Sequence, residues 1–543
     1  MEQVKKIILY IFIIVGFSSC NEYLEVTSTD QVSDGILWDT PQTADLFLNG
    51  IYAGLPGPFR TDDPGENWTD NAMTSRIGPV SRSLYALSEY APNNTPNQWA
   101  HFANIRKANL FIQKVNESDL PEEWKKQRIG EARFLRAYFY TLLWTYHGGI
   151  PIITDILNQS EQGDEIFRPR NTAEETFQFI VDECTAIEND LPVTSDAGRA
   201  TRGSALTLKG WCELFWASPL YNPDNDLARW EAAAVTYKRV IDLGIYELFP
   251  DYNTMHFEEN NNNVEVIFDK QYLGGTPLGG NREGIQGPWR VGGVQRAWGG
   301  VNPTQELVDE YAMANGLPIS DPNSGYDPQN PYVNREKRFY QSIIYDGSEW
   351  LGSIMVKKQG VGSPNATDLS DINEATNTGY SLRKGLNPIY AINGHNLQNS
   401  ASFIIFRYAE VLLSYAESHN EAVGPDLSVY EAINQVRARS ELPPLPEGLS
   451  KDEMRTWIYR ERRVELAFEE KRWFDLIRLR LAEEKLNGDL HAMVIVQENG
   501  QWKYNVVPAP GGRRIFFPEK NYFMPIPQSA IDQNPQLSQN PNY

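Results

Sequence analysis

The stretch "EEWKKQRIGEARFLRAYFYTLLWTYHGGIPI", Glu122–Ile152, decides the fold. Ile129, Ala132, Leu135, Phe139 and Leu142 recur at three- and four-residue steps, the stripe of a helix that faces a core. Gly148-Gly149 and then Pro151 stop it, because glycine frees the backbone and proline cannot continue a helix. A long, strongly apolar helix of this kind needs partners on several sides.

Working outward, the chain supplies those partners. Trp99 to Val115 turns helical upstream, and the earlier "PQTADLFLNGIYAGL" (41–55) is a first helix. Downstream, Thr172 to Asp190 opens on a cap whose Glu175, three residues on, completes a capping box. Thr201 to Ala217 carries Leu206, Leu208, Trp211 and Leu214; Arg229 to Leu243 carries Ala232, Ala233, Val240 and Ile241. Helical patterns return at 403–423, 428–440, 451–470 and 472–486, and the C-terminus reads as an ordered loop with one helical turn. Helices joined in pairs, none able to bury its face alone, predict a helical-repeat scaffold. The strict tetratricopeptide consensus is missing, so the repeat is degenerate.

Two regions have a different character. Residues 56–98 and 250–400 are punctuated by Gly, Asn and Pro, as in "QYLGGTPLGGNREGIQGPWRVGGVQRAWGGVNPTQ" (271–305), which predicts loops and short strands.

The N-terminus has the parts of an export signal. Lys5 and Lys6 precede an apolar run, Ile7 to Phe17, too short to span a bilayer. Ser18 and Ser19 then lead into Cys20, a pattern that resembles a bacterial lipobox, in which the thiol is acylated and becomes the first mature residue. The expected layout is a signal peptide at 1–19, an anchor and extended tether at 20–45, and one domain over 46–543. Its helical scaffold falls mainly at 100–250 and 403–486, and its loop-rich parts mainly at 56–98 and 250–400.

Charge and composition narrow the function. The net charge of −22 argues against nucleic acid and against anionic lipid held by a basic patch. Cys184 and Cys212 lie on apolar helical patterns, so buried free thiols are expected rather than a disulfide. Six histidines are scattered without metal-ligand spacing, and no cofactor or metal is expected. No G-x-S-x-G elbow, P-loop or dinucleotide fingerprint occurs. Glycoside hydrolysis needs only two distant carboxylates, and 71 acids leave that reading open. Arg133, Arg136, Arg407, Glu410, Arg437, Glu461, Arg462, Glu465 and Arg472 lie within the helical motifs, and the expected use is interhelix ion pairing rather than catalysis. No catalytic residue is assigned.

Aromatic residues make up 12% of the chain, with 14 Trp and 27 Tyr, and several stand in the loops beside hydrogen-bonding side chains. Sugar rings stack their C–H faces on such planes while their hydroxyls take polar partners. "ENWTDNAMTSRIGPVSRSLY" (66–85) offers Trp68, Asp70, Asn71 and Arg82; "NQWAHFANI" (97–105) offers Trp99. "GPWRVGGVQRAWGGVNP" (287–303) offers Trp289 and Trp298, and "DGSEWLG" (346–352) offers Trp350.

The motifs together resemble the SusD/RagB family. Its order is that of "SSCNEYLEV", "LWDTPQTADLFLNGIYAGL", "EARFLRAYFYTLLWTYHGGIPI", "GRATRGSALTLKGWCELFWASPLYN", "FRYAEVLLSYAESHNEA", "INQVRARSELPPLP", "ERRVELAFEEKRWFDLIR" and "MPIPQSAIDQNPQLSQNPNY". The resemblance implies an all-α-dominated fold of four degenerate tetratricopeptide-like helix pairs plus an irregular, loop-rich ligand-binding part with short strands. It also implies a lipoprotein anchored through Cys20, on the extracellular side of the outer membrane, that binds oligosaccharides and passes them to a SusC-like TonB-dependent transporter. Peptide capture by the same scaffold remains the alternative. Asp70, Arg82, Trp99 and Trp298 match the family's ligand-binding positions best; Trp68, Asn71, Trp289 and Trp350 are further candidates.

Overall fold

The computed structural model describes residues 34–58, 64–74, 84–95, 98–276, 279–361, 376–393 and 398–543. Helices dominate it. The first long one, α1 (Pro41–Tyr52), starts on Thr40, whose side chain accepts from the Thr43 amide. α2 (His101–Glu117) packs on α3 (Glu122–His147), the helix of the opening stretch. Ala132, Leu135 and Phe139 are fully buried as the periodicity requires, but burial runs almost all round α3 from Gly130 onward. It is a central helix. α3 ends at Gly148, whose φ of 73° is a left-handed conformation that glycine adopts cheaply. At Gly149 a β-carbon would lie 2.1 Å from the Asn171 carbonyl oxygen, so the chain can turn there only without a side chain.

α4 (Ala173–Ile187) carries the capping box expected of Thr172 and Glu175, and α5 (Arg202–Ala217) carries one from Thr201 and Ser204. α6 (Leu227–Ile241) packs on α5 and on α7 (Tyr408–Ala422), so the whole stretch 242–407 loops out between two neighbouring helices. α8 (Leu427–Arg439) and α9 (Lys451–Glu465) complete the stack against α7. One core joins these helices; a fully buried Leu or Phe in it contributes about 1.5–3 kcal/mol. Cys184 and Cys212 are buried free thiols, with burial pushing the Cys212 thiol up to about 12.

Several boundaries differ from the periodic reading. Residues 403–407 form a strand, not the start of a helix: β2 (Phe403–Arg407) pairs antiparallel with β1 (Val266–Lys270). α9 ends at Glu465, and the pattern to 470 breaks because Phe468 and Glu470 take φ of 64° and 63°. α10 (Arg472–Arg478) is short, since Arg480 at φ 56° separates it from a last turn at Ala482–Lys485. The sequence reading also missed the longest strands, β3 (Gly488–Glu498) and β4 (Gln501–Arg514), a hairpin turning at Asn499-Gly500.

The charged motif residues pair as expected. Arg136 donates to Glu183 at 2.6 Å, and Arg462 to Asp475 at 2.8 Å and Glu410 at 3.4 Å. The densest group surrounds Arg407, which donates to Glu265 at 2.6 Å, Glu465 at 2.7 Å and Glu469 at 2.6 Å. Arg338 and Lys384, from the looped-out stretch, reach Glu465 at 2.9 Å and Glu469 at 2.5 Å. Breaking one member of such a buried set costs about 3–5 kcal/mol because its partner charge is stranded.

Candidate functional site

The irregular stretch carries two tight hairpins whose tips touch. In the first, Arg290–Val291 pairs with Val294–Gln295. Gly292 and Gly293 form its turn at φ 60° and 81°, the positive values that a two-residue turn matching strand twist demands. In the second, Glu349–Trp350 pairs with Ser353–Ile354 through Leu351 and Gly352, at φ 49° and 73°. A β-carbon on Gly292 would stand 3.0 Å from Ser353 Oγ, so glycine lets the two tips meet.

The first hairpin brings two candidate tryptophans together. The Arg296 amide donates to the Trp289 carbonyl at 2.8 Å, and the Gly299 amide to Gly287 at 2.9 Å, drawing the flanks in. The Trp289 and Trp298 rings then sit edge to face, with centroids 5.4 Å apart, and both are half-buried. The Trp289 indole N–H is enclosed without a hydrogen-bond partner. Arg296 is fixed beside them through a bond to the Ile392 carbonyl.

Under the second hairpin lies a recess of about 350 Å³ lined by Tyr340, Tyr345, Glu349, Trp350, Arg383 and Pro388. Trp350 is buried as its wall, with the Arg383 guanidinium 5.5 Å from the ring centroid. Burial lowers the pKa of Arg383, and its Nε is enclosed without a partner. Flat aromatic faces beside an underused guanidinium suit a ring with hydroxyls. Tyr340, Tyr345 and Arg383 were missed in the sequence, although the aromatics crowding "RFYQSIIYDGSEWLG" (338–352) were a usable signal.

The other candidates lie elsewhere. Asp70 is buried: Arg472 Nε and Nη2 donate to its two oxygens at 2.8 Å each, and Arg463 stands 3.0 Å away. Burial alone would raise this carboxyl, but the two guanidiniums outweigh it and hold it far below the usual carboxylate range. The expectation that Asp70 meets a ligand is therefore corrected, because its oxygens already serve the core. Asn71 is buried too, donating to Glu66 at 2.8 Å and accepting from Arg463 at 2.8 Å. Trp68 is 9% exposed and stacks on Tyr85 with centroids 3.8 Å apart. Arg82 and Cys20 lie outside the described residues.

Trp99, half-buried in a short 3-10 turn before α2, sets its ring edge-on to His147 at 5.5 Å and packs on Phe102. It lines a recess of about 420 Å³ shared with Arg106, Asp155, Arg168 and Leu537, which has no residue in common with the recess beneath Trp350. Trp298 does not line the Trp99 recess. No group of His, Cys, Asp and Glu able to hold a metal occurs among the described residues.

This helix-dominated architecture is that of the SusD-like class of fold. A SusD-like carbohydrate-binding protein from Bacteroides fragilis superposes with a TM-score of 0.78 at 26% identity, over 92% of this chain and all of that one. Another SusD-like protein from the same species gives 0.79 at 27% identity, over 95% of this chain and 99% of that one. In sequence, SusD-like protein P2 of Formosa agariphila is 34% identical across 93% of this chain and 89% of its own length. The profile of the SusD family matches residues 264–543, and one described as "starch-binding associating with outer membrane" matches 22–209. The chain belongs to the SusD family.

Proposed function

We propose that the protein captures oligosaccharides at the bacterial cell surface and hands them to a TonB-dependent outer-membrane transporter. Cys20, acylated after removal of residues 1–19, holds it on the outer membrane. The observation that carries the reading is the Trp289–Trp298 pair, two half-exposed indoles at 5.4 Å on a hairpin whose tip meets the one carrying Trp350. This surface offers stacking planes and hydrogen-bond donors, the complement of a sugar ring. The relative from B. fragilis described as carbohydrate binding supports the ligand class. Trp99 supplies a second contact in its own recess. The function is binding without turnover.

Calorimetry of the soluble form against a panel of polysaccharide fragments tests the proposal. Saturable binding by one glycan class, with fragment length unchanged afterwards by chromatography, is the expected result. Binding of peptides instead, or the appearance of shorter products, overturns it.

A further inference from the structure

A cavity of about 260 Å³ lies among α3, α5, β2 and α10, and shares no lining residue with the recesses holding Trp350 or Trp99. Its walls are aromatic: Trp68, Tyr138, Tyr146, Trp211, Phe403 and Phe474. Such rings pack on another flat apolar body.

Two hydroxyls on this wall have hydrogen-bonding capacity to spare. Neither the Tyr138 nor the Tyr146 hydroxyl has a hydrogen-bond partner among the described residues. The Trp68 indole N–H is enclosed and unpartnered. Glu470, at φ 63°, adds a carboxyl whose Oε2 accepts from the Gly65 amide at 2.6 Å. That residue and Phe468, at φ 64°, hold a conformation that L side chains rarely adopt, which is a cost concentrated beside the cavity.

The cavity is poorly suited to charge. Its one lysine, Lys471, already donates to the Ile405 carbonyl at 2.7 Å and pairs with Glu410 at 2.8 Å. Glu469 is held by Arg407 and Lys384. An ion entering here would lose its hydration without gaining a counter-ion.

We propose that this cavity binds a small, uncharged, ring-bearing molecule that presents a hydrogen-bond acceptor to the Tyr138 and Tyr146 hydroxyls beside the Glu470 carboxyl. The site is independent of the oligosaccharide reading. The charged groups around the Glu470 carboxyl are Glu66 on the Gly65–Trp68 turn and Arg282 on the short helix Arg282–Gln286, with the neutral Tyr146 phenol on α3 as a further neighbour. Burial first, then the Glu66 charge, pushes the Glu470 carboxyl up to about 8. Below that pH it donates; above it, it is an anion facing the acceptor.

Acetophenone, a neutral ring with a carbonyl acceptor, is the probe, and benzoate, its anionic counterpart, is the control. Acetophenone should bind saturably by ligand-observed NMR and calorimetry, at least ten-fold more tightly than benzoate at pH 7. Its binding should weaken as pH rises through about 8, and Glu470→Gln, which keeps a donor, should flatten that profile. Leu142→Trp, which fills the cavity, should abolish binding, whereas Trp298→Ala should not change it. In crystals soaked with 4-bromoacetophenone the bromine signal should fall between Tyr146 and Phe474, a measurement that does not depend on any variant folding. Absence of saturable binding, equal affinity for benzoate, or bromine located elsewhere overturns the proposal.

Discussion

Asp70 and Arg472 form a two-pronged ion pair, Nε to Oδ1 and Nη2 to Oδ2, both at 2.8 Å, in a fully enclosed setting. The pair ties the first loop-rich region to α10. Asp70→Asn should destabilise the protein by about 3–5 kcal/mol at pH 7, since two guanidiniums lose their counter-charge. The pH sign follows from a folded-state pKa depressed below the ordinary 3.8. The contribution is fully present above that value and is lost as pH falls below it. Denaturant melts should therefore show wild type and Asp70→Asn converging in strongly acid buffer. A constant gap from pH 7 down to acid would contradict the assignment.

Trp298 is the test of the stacking surface. Trp298→Ala should weaken glycan binding about ten-fold, the loss of roughly 1.4 kcal/mol, with little change in melting temperature because the ring is only half-buried. Normal calorimetric affinity in this variant would move the platform away from the first hairpin.

Trp350 should behave in the opposite way. Its ring is 4% exposed, so Trp350→Ala should cost about 3–5 kcal/mol of stability. The recess is better probed through Arg383→Lys, which keeps the charge but loses the planar face. Affinity should fall several-fold while the thermal transition stays within a few degrees; unchanged affinity would leave the recess without a role.

For Trp99, a double-mutant cycle separates the two surfaces. If one glycan spans both, the Trp99→Phe and Trp298→Ala effects on affinity should be additive within about 0.5 kcal/mol, as for residues with no shared partners. Phenylalanine keeps packing on Phe102 and His147, so a loss of affinity reads ligand contact rather than unfolding. No effect of Trp99→Phe on any glycan would remove this recess from the binding surface.

The anchor is tested in cells. Mass spectrometry of the mature protein should find an acylated Cys20 as its first residue, and Cys20→Ala should move the protein from the membrane to the soluble fraction. Several acyl chains are expected, because one holds a protein only marginally. Mild detergent extraction should bring down a β-barrel partner; recovery of the lone protein would count against the transporter.

The helices were legible because their signals are local. The Thr172–Glu175 box spans three residues, and α3 announces itself by its period and its glycine stop. The Asp70–Arg472 pair spans 402 residues, so a carboxylate in a polar loop gave no hint that its partner was a core arginine. Trp289 and Trp298 could be paired only through the Gly292-Gly293 turn, which glycine permits but does not dictate. The β3–β4 hairpin is a different failure: alternating residues around Asn499-Gly500 are a strong turn signal lying beyond the last helical pattern at 472–486.

The excursion between α6 and α7 leaves and returns through a single gate, the antiparallel pairing of Val266–Lys270 with Phe403–Arg407. The stretch between those strands is a cartridge whose two ends are already side by side, so its length can change at small entropic cost to the stack. Yet the cartridge carries its own keys, Arg338 and Lys384, which fit the locks Glu465 and Glu469 on the scaffold. Transplanting new recognition loops into this frame should fail when those two cations are left behind.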